Sequence, residues 1–445
     1  MRERHPIDRA SDADLAFLAM DRDAVPQQIA VVLLLDRALP EDACLRLLGD
    51  RSATVPRLRQ RLIRTPLGCG RPIWVEDDGF DPRRQVNAVP CAAPEDTRAL
   101  LDAVMPYVLR PLPRDRPLWR AVLVRGPAGG CAALAMIVHH VLSDGLGGLA
   151  ALDRLLDEAV AVTVRPPARR PAPCSLAADA WRSRLTAWRR VPARLRRMRS
   201  AMAAGGGVAP APVARCSLLR ATGALRRSVA VRVPLDALRD AAHRHDAGVH
   251  AALLTAVAGA LRVVLDRRGE TIGAVTIAVP VGTPRPAGET AGNAVSPLIV
   301  TVPVTGPPGR RLARVAAEVR RRRAAAAGPA PITVLGGWFR LIAALGGYRW
   351  YMTHQKRLHT LVSFVRGPAA PVRLGGAEVR AMIPIAVGGA TNVTVAFLAL
   401  SYAGTLTVTA VADPVRCPDL DLLGRVLAAE LAAVAAGSAS GSGEG

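Results

Sequence analysis

The chain has 445 residues, of which 50% are hydrophobic and 21% are charged, and its formal net charge is +23. This length predicts two or three domains, and this apolar content is enough for sizeable buried cores, so the composition excludes a wholly disordered chain. Of the 59 basic residues only Lys356 is a lysine, and aromatic residues make up 3% of the chain. A single-strand binder interleaves basic side chains with stacking aromatic rings, so we expect no nucleic-acid partner.

The first predicted unit, residues 1–164, mixes strands and helices. Residues 29–36 (IAVVLLLD) are typical of a strand, and residues 131–138 (CAALAMIV) form a near-continuous apolar run that suits a buried strand. Gly147 and Gly148 then predict a turn, and residues 149–160 have the spacing of a helix.

A histidine motif follows the second of these strands. It reads HHxxxDG and consists of His139, His140, Val141, Leu142, Ser143, Asp144 and Gly145. Adjacent residues at a strand end point in opposite directions, so we expect only one of the two imidazoles to face a cleft. Imidazole titrates near neutrality and takes a proton from a hydroxyl or thiol, then returns it to a leaving group. The motif predicts a general base, although hydrogen bonds that merely cap the strand would use the same residue types.

A basic connector, residues 165–215, separates the two more regular parts of the chain. It carries 12 arginines and one acid, Asp179, and is bounded by proline-rich and glycine-rich stretches. Its apolar residues recur at spacings of three or four, which predicts an amphipathic helix with a kink at Pro192; they are Trp181, Leu185, Trp188, Val191, Leu195, Met198 and Met202. Such a helix either binds an anionic membrane surface or packs on the protein as a crossover helix with solvated arginines.

The second predicted unit, residues 216–437, again mixes strands and helices. The pattern predicts strands at 225–235, 275–281 and 296–304, helices at 236–246, 250–265 and 311–327, and a β-hairpin over 392–414. Residues 438–445 are rich in glycine and serine and predict a flexible tail.

The remaining patterns bear on location and on metals. The apolar stretch 251–265 is interrupted by Arg262 and is short for a bilayer, and the first residues lack the apolar core of a signal peptide. We therefore expect a cytoplasmic protein, soluble or held peripherally at the inner face of the plasma membrane. The seven cysteines show no metal-ligand spacing, so we expect reduced structural thiols and no metal.

The HHxxxDG motif is the signature of the CoA-dependent acyltransferase superfamily, and the chain resembles its bacterial wax ester synthase/diacylglycerol acyltransferase family along most of its length. The resemblance is carried by short pieces in the family's order, namely Ser11, Asp14, Phe17, Leu18 and Pro26, then 56–62, 72–75, 80–81, RPLW at 116–119, 259–270, 277–282, 292–293, SFVRGP at 363–368, SYAG at 401–404 and 411–414.

The resemblance implies an α/β (α+β) fold of two chloramphenicol-acetyltransferase-like lobes with mixed sheets and a substrate tunnel between them. It implies no bound cofactor, with acyl-CoA as co-substrate and a lipid hydroxyl, diacylglycerol or a fatty alcohol, as acceptor. His140 would be the general base and His139 its support, while Asp144 would be structural and pair with an arginine of the second lobe, for which Arg285 is the nearest candidate. Gly145 would let the backbone turn close to the thioester.

Three departures from the family pattern mark a divergent member. His250 and Ala251 stand where the family usually has an Asn-Asp pair at a helix start, so oxyanion support or substrate binding would fall to His250, Asn293 or backbone amides. The segment at 363–368 lacks the usual Asn and first Pro of its motif, and Gln85 stands where the family often has a histidine.

Two other functions stay open at this point. The first is a condensation-type acyltransferase that takes its acyl group from an acidic carrier protein. The second is a non-catalytic relative that binds lipid, at an anionic membrane or a lipid droplet, and keeps the histidines without the reaction.

Overall fold

The computed structural model describes eight stretches of the chain, residues 7–22, 25–142, 152–158, 170–189, 212–282, 295–325, 339–389 and 391–436. Within them the helices with described bounds are α1 (Asp12–Met20), α2 (Glu41–Ser52), α3 (Pro56–Arg59), α4 (Thr97–Leu109), α5 (Pro173–Arg189), α6 (Leu235–Arg244), α7 (Val249–Arg267), α8 (Pro308–Ala325), α9 (Gly347–His354) and α10 (Leu420–Ala436).

The described strands, in chain order, are β1 (Gln28–Leu39), β2 (Gln60–Ile63), β3 (Ile73–Glu76), β4 (Val86–Pro90), β5 (Trp119–Arg125), β6 (Cys131–His139), β7 (Arg227–Pro234), β8 (Ala274–Gly282), β9 (Val295–Pro303), β10 (Thr360–Arg366), β11 (Arg373–Leu374), β12 (Ala377–Val387), β13 (Val395–Tyr402) and β14 (Thr405–Ala412). The strands and helices predicted in the second unit are confirmed with bounds that shift by at most three residues, and the strand predicted at 131–138 is β6.

The first sheet has the strand order β11-β12-β1-β6-β5-β4 and is antiparallel except where β4 meets β5. Strand β6 is nearly all buried because apolar clusters cover both of its faces. Leu134 and Met136 belong to one cluster, and Ala133, Ala135 and Ile137 belong to the other, as the alternation of a strand requires. The second cluster also contains the buried side of α4.

The second sheet has the order β7-β14-β13-β10-β8-β9, with β10 parallel to both β13 and β8. Its core is built on α7, whose Ala- and Leu-rich residues are mostly buried against the sheet. The predicted hairpin is β13–β14, and it turns at Ala403 and Gly404, which have φ angles of 44° and 75°. Two successive left-handed residues fit the right-handed twist of the flanking strands. Mixed sheets of this kind confirm the predicted α/β fold class.

The two sheets are not contiguous in sequence. Strands β11 and β12 belong to the predicted second unit, yet β12 pairs with β1 of the first sheet over most of its length. The buried Tyr402 at the end of β13 fixes this crossing, because its hydroxyl accepts a hydrogen bond from the Val372 amide at 2.9 Å and donates one to the Val379 carbonyl at 2.7 Å. A boundary at residue 216 therefore does not separate the sheets.

The prediction of a helix over 149–160 is wrong for most of its described residues. Of its described residues, only 152 and 153 are helical, and 154–158 form turns. The reason is tertiary, because the Asp157 carboxylate accepts hydrogen bonds from the amides of Gly375 and Gly376 at 2.9 and 2.7 Å. The segment is thereby anchored to the β11–β12 turn instead of continuing a helix.

The predicted amphipathic helix of the connector begins earlier than expected. It is α5, and residues 190–211, which carry the rest of the predicted stripe and Pro192, lie outside the described residues. Leu176 and Ala180 are buried, whereas Trp181 and Leu185 are 61% and 63% exposed. The two described side chains of the stripe, Trp181 and Leu185, therefore do not pack in the core.

Helix α7 is longer than the stretch predicted from the sequence. By length and composition its 19 residues would suffice to cross a membrane, but 72% of the apolar window is buried inside the protein. Together with its place at the centre of the second core, this identifies α7 as a core helix. All seven cysteines lie in the described residues, and no two of them are joined in a disulfide there.

Candidate active site

The histidine pair lies at the C-terminal end of β6, which is flanked by β1 and β5 in the first sheet. His139 is the last residue of the strand and lies opposite Gln28 of β1. Its amide donates to the Leu118 carbonyl at 3.0 Å, and the amide of His140 donates to the Gln27 carbonyl at 2.9 Å. The next turn closes on the His139 carbonyl, which accepts from the Leu142 amide at 2.9 Å. The backbone of the motif is thus held by the segments that flank β6 on both sides.

The side chain of His139 is fixed within the protein and is 2% exposed. Its Nδ1 accepts a hydrogen bond from the Val141 amide at 3.0 Å, so the proton of the neutral ring is on Nε2. Nε2 lies 3.0 Å from Asp21 Oδ2 and donates to it. His139 therefore links the turn that follows it to a carboxylate 118 residues earlier in the chain.

Asp21 receives three hydrogen bonds at the C-terminal end of α1. Besides His139, the Gln27 amide donates to Oδ1 at 3.0 Å and Arg114 donates to Oδ2 at 2.9 Å. Burial by itself raises the pKa of Asp21, but the hydrogen bonds and charge of its partners outweigh this and lower the pKa to about 2. The carboxylate is therefore ionised at neutral pH. Asp21 is not among the residues predicted from the sequence, because nothing in the local pattern indicates a partner so distant.

His140 lies in a different environment from its neighbour, as the alternation at a strand end predicts. It is half-buried, and its ring stacks on Phe17 of α1 with a centroid distance of 4.0 Å and an interplanar angle of 10°. Helix α1 is itself fixed by a capping box between Ser11 and Asp14. Stacking covers one face of the imidazole and restricts its rotation, while Nδ1 is buried.

Several predicted site residues lie outside the described residues. These are Ser143, Asp144 and Gly145 of the motif, together with Arg285 and Asn293. Their roles, and the substrate tunnel between the lobes, stay predictions.

His250 is the second residue of α7, and Gly248, the residue before the helix, offers no side chain to cap it. Its ring meets Phe364 edge to face at 6.2 Å, and its buried Nε2 has no hydrogen-bond partner among the described residues. It lines a cavity of about 450 Å³ together with Arg320 and Arg323. Burial and the nearby charge of Arg323 lower the pKa of His250 to about 4, so the ring is neutral at pH 7.

The described contacts of His250 differ from those of the histidine pair. In the described part of the chain, no ring contact or hydrogen bond joins His250 to His139 or His140. Phe364 touches His250, whereas the next residue, Val365, belongs to the cluster that contains Val141 and Leu142. Consecutive strand residues face opposite sides of the sheet, so Phe364 and Val365 pack on different neighbours.

The low pKa of His250 predicts a loss of stability in mild acid. The folded state holds this ring neutral down to about pH 4, whereas the unfolded chain takes up a proton near pH 6.5. The unfolded state therefore binds more protons in this window, and the free energy of unfolding falls as the pH drops from 6.5 to 4. We expect His250→Gln to remove about 2 to 3 kcal/mol of this loss.

Urea unfolding at several pH values measures this effect as the difference between wild type and variant. The difference is needed because His359, whose pKa burial also lowers, contributes in the same direction to both proteins. Parallel pH dependence in the two proteins would contradict the assignment to His250.

Other residues that carried the family resemblance have packing roles. The indole of Trp119, from the RPLW segment, donates to the Leu58 carbonyl at 2.8 Å and so ties β5 to α3. Gln85, which replaces a frequent histidine of the family, is buried and donates to the Pro117 carbonyl at 2.9 Å. A Cβ at Gly367, in the SFVRGP segment, would come within 2.7 Å of the Ser401 carbonyl, so glycine is required there.

Known proteins resemble this chain in sequence and in fold. Residues 11–253 match the model of the wax ester synthase/diacylglycerol acyltransferase catalytic domain, and residues 291–435 match that of the family's C-terminal domain. Among solved structures, the wax ester synthase/diacylglycerol acyltransferase from Marinobacter aquaeolei VT8 has a TM-score of 0.65 at 20% identity, with 97% of this chain and all of that chain covered. The first condensation domain of the CDA synthetase has a TM-score of 0.61 at 21% identity, with coverage of 98% and 97%.

Relatives in Mycobacterium tuberculosis are named as diacylglycerol O-acyltransferases. These names do not state that the activity is established. One is 26% identical over 93% of this chain and 87% of its own length. Two others are 34% and 31% identical over 32% and 36% of this chain, and the matches span 31% and 59% of their own lengths. Since one family model alone covers more than half of the sequence, the chain belongs to the wax ester synthase/diacylglycerol acyltransferase family.

Proposed function

We propose that this protein is an O-acyltransferase that transfers a long-chain acyl group from acyl-CoA to the hydroxyl of diacylglycerol or a fatty alcohol. The products are then triacylglycerol or a wax ester, and CoA. The observation that carries the proposal is the placement of His140, half-buried at the end of β6 and stacked on Phe17, beside a His139 that Asp21 holds in place. Family membership supports the reaction class.

The reaction needs one group that accepts and returns a proton. The His140 imidazole takes the proton from the acceptor hydroxyl while the hydroxyl oxygen attacks the thioester carbonyl carbon. The tetrahedral intermediate collapses with cleavage of the C–S bond, and the same imidazole returns the proton to the departing thiolate. An ester and CoA-SH leave, and His140 is again neutral.

The other residues in the proposal position His140 or stabilise the oxyanion. His139 and Asp21 hold the turn in which His140 lies, through the hydrogen bonds of both imidazole nitrogens of His139. Asp144 keeps its proposed structural pairing with Arg285, and Gly145 its place at a close backbone turn. For the oxyanion, preorganised donors are worth about 3 to 4 kcal/mol each, and we keep Asn293 and His250 as the candidates.

Acyl-CoA as donor has support from the fold. A starter condensation domain of rhizomide synthetase, which shares the fold with a TM-score of 0.60 at 15% identity, is known in complex with C8-CoA. The proposed acceptors, diacylglycerol and fatty alcohols, partition into lipid. We therefore also propose that the protein works in the cytoplasm at the inner face of the membrane.

The experiment is an acyl-transfer assay on the purified full chain. Radiolabelled long-chain acyl-CoA is supplied with a panel of diacylglycerol, fatty alcohol and other hydroxyl acceptors, and the products are separated by lipid chromatography. A labelled ester of one acceptor class supports the proposal. Release of CoA with labelled free fatty acid and no ester would identify a hydrolase and overturn it.

The condensation-type alternative is kept because the solved condensation domains share this fold over nearly the whole chain. The same assay separates it, with acyl carrier protein as a second donor. Ester formation from the carrier-bound acyl group alone favours the alternative. If neither donor is used, the non-catalytic lipid-binding relative is favoured.

A further inference from the structure

An exposed apolar surface lies within one short segment of the second unit. Ten large hydrophobic residues of the described chain are strongly exposed, and five of them fall between positions 341 and 351. We call these five residues the outer apolar patch; they are Leu341, Ile342, Leu345, Trp350 and Tyr351, with 51%, 47%, 79%, 66% and 40% of their surface exposed. A concentration of this kind on a soluble domain marks an interaction site.

The inner side of the same segment is anchored. Phe339 and Ala343 are buried, and they form one cluster with Ala16, Ala19 and Met20 of α1. Tyr348 packs edge to face on Phe339 with ring centroids 5.4 Å apart. The segment is therefore fixed on α1 by one side and turns the patch outward on the other, so the exposure belongs to the folded arrangement.

The charge of the segment is of one sign. Residues 339–357 contain Arg340, Arg349, Lys356 and Arg357 and not a single aspartate or glutamate. Arg349 and Lys356 are exposed beside the patch. Apolar side chains that insert below the headgroups, tryptophan and tyrosine at the boundary, and basic residues around them are the combination by which peripheral proteins bind anionic lipid.

We propose that the outer apolar patch docks on the surface of an anionic phospholipid bilayer. Leu345, Trp350 and Tyr351 would insert between the headgroups, and Arg349 and Lys356 would contact their phosphates. This inference rests on the proposed function for its purpose, delivery of a lipid acceptor, although docking itself requires no acyl transfer.

The patch lies close to the candidate base. Phe17 of α1 stacks on the ring of His140 and also packs against the cluster that contains Phe339 and Ala343. The anchored side of the segment and the candidate base therefore share Phe17 as a neighbour.

The experiment measures vesicle binding by co-sedimentation, in the absence of acyl-CoA and acceptor. Vesicles of phosphatidylcholine alone are compared with vesicles that also contain phosphatidylglycerol. We expect the wild type to prefer the anionic vesicles, and the double variant Leu345→Ser/Trp350→Ser to bind them about tenfold or more weakly. Lys356→Gln should weaken binding to anionic vesicles alone, about fivefold, as the loss of one basic residue predicts.

The matched control is Leu225→Ser/Val415→Ser, which removes two apolar side chains that are 64% and 72% exposed. It should bind within about twofold of wild type, because both residues lie outside the outer apolar patch and outside the basic connector. Unfolding curves of both double variants establish that they fold. Wild-type failure to bind anionic vesicles, or undiminished binding by the patch variant, would overturn the proposal.

A second copy of the chain is the competing occupant. Sedimentation velocity of wild type and patch variant tests it, since a dimer that dissociates in the variant would assign the patch to self-association and also overturn lipid docking. Because vesicle binding is measured without substrates, a failed acyl-transfer assay leaves this result interpretable.

Discussion

Replacing His140 by alanine is expected to lower kcat/KM for acyl transfer by about 10² to 10⁴, the usual contribution of a general base. This corresponds to about 3 to 5 kcal/mol of transition-state stabilisation. We expect this loss because, among the described residues, no other imidazole stacks on Phe17 and could replace His140 as the base. Initial rates with radiolabelled acyl-CoA, at acceptor concentrations below KM, measure the effect.

Two further variants make the result interpretable. His140→Gln keeps a planar polar side chain but has no basic nitrogen, so it should be as inactive as the alanine variant while it preserves more of the contact with Phe17. His245→Ala, at the end of α6, removes a histidine that lies away from the motif and should retain wild-type activity. Activity of His140→Gln near the wild-type level would rule out proton transfer by this ring.

Asp21→Asn is expected to lower the free energy of unfolding by about 2 to 4 kcal/mol, because it breaks a largely buried, charged hydrogen-bond network. The two carboxylate oxygens accept from the Gln27 amide and from His139 Nε2. An asparagine has one acceptor oxygen and one NH₂ donor, so one of these two N–H groups would face another donor. The His139 ring then loses its anchor, and the turn that carries His140 loses its position. We therefore expect kcat to fall as well.

The pH dependence of stability gives Asp21 a signature of its own. Its folded-state pKa of about 2 lies below the ordinary value of 3.8, so its stabilisation is present above pH 4 and is lost as the pH falls towards 2. The Asp21→Asn variant should lack this loss. Arg114→Ala is the matched control, since this partner is 53% exposed and its removal should cost less than about 1 kcal/mol. Equal destabilisation by the two variants would contradict the central place of Asp21.

The lipid-docking surface could not have been located from the sequence. Leu341, Ile342 and Trp350 have the residue types of a core, and the sequence pattern points instead to the basic stripe that begins at Trp181. Both segments expose apolar side chains, but the anchoring of residues 339–348 on α1 places that surface beside the candidate site. Burial depends on which elements meet, and a local pattern does not contain that information.

Within the histidine motif, too, some features are predicted from the sequence and others come only from the tertiary fold. Sequence places His139 and His140 at the end of a buried strand and predicts that they point to opposite sides, because side chains alternate along a strand. It also nominates His140 through the family pattern. The partners that give each ring its environment, Asp21 and Phe17, are more than 100 residues away in the chain and come from the tertiary fold.

By itself, the sequence determined the mixed α/β character, most element positions in the second unit, the β-hairpin over 392–414 and the strand-end location of the motif. These follow from apolar periodicity and turn chemistry, which act over a few residues. Only the tertiary structure decided that β11 and β12 join the first sheet, that residues 154–158 are turns, and that Asp21 is the partner of His139. Each of these depends on pairing or packing between distant segments, whose free energy is gained only when the chain has folded.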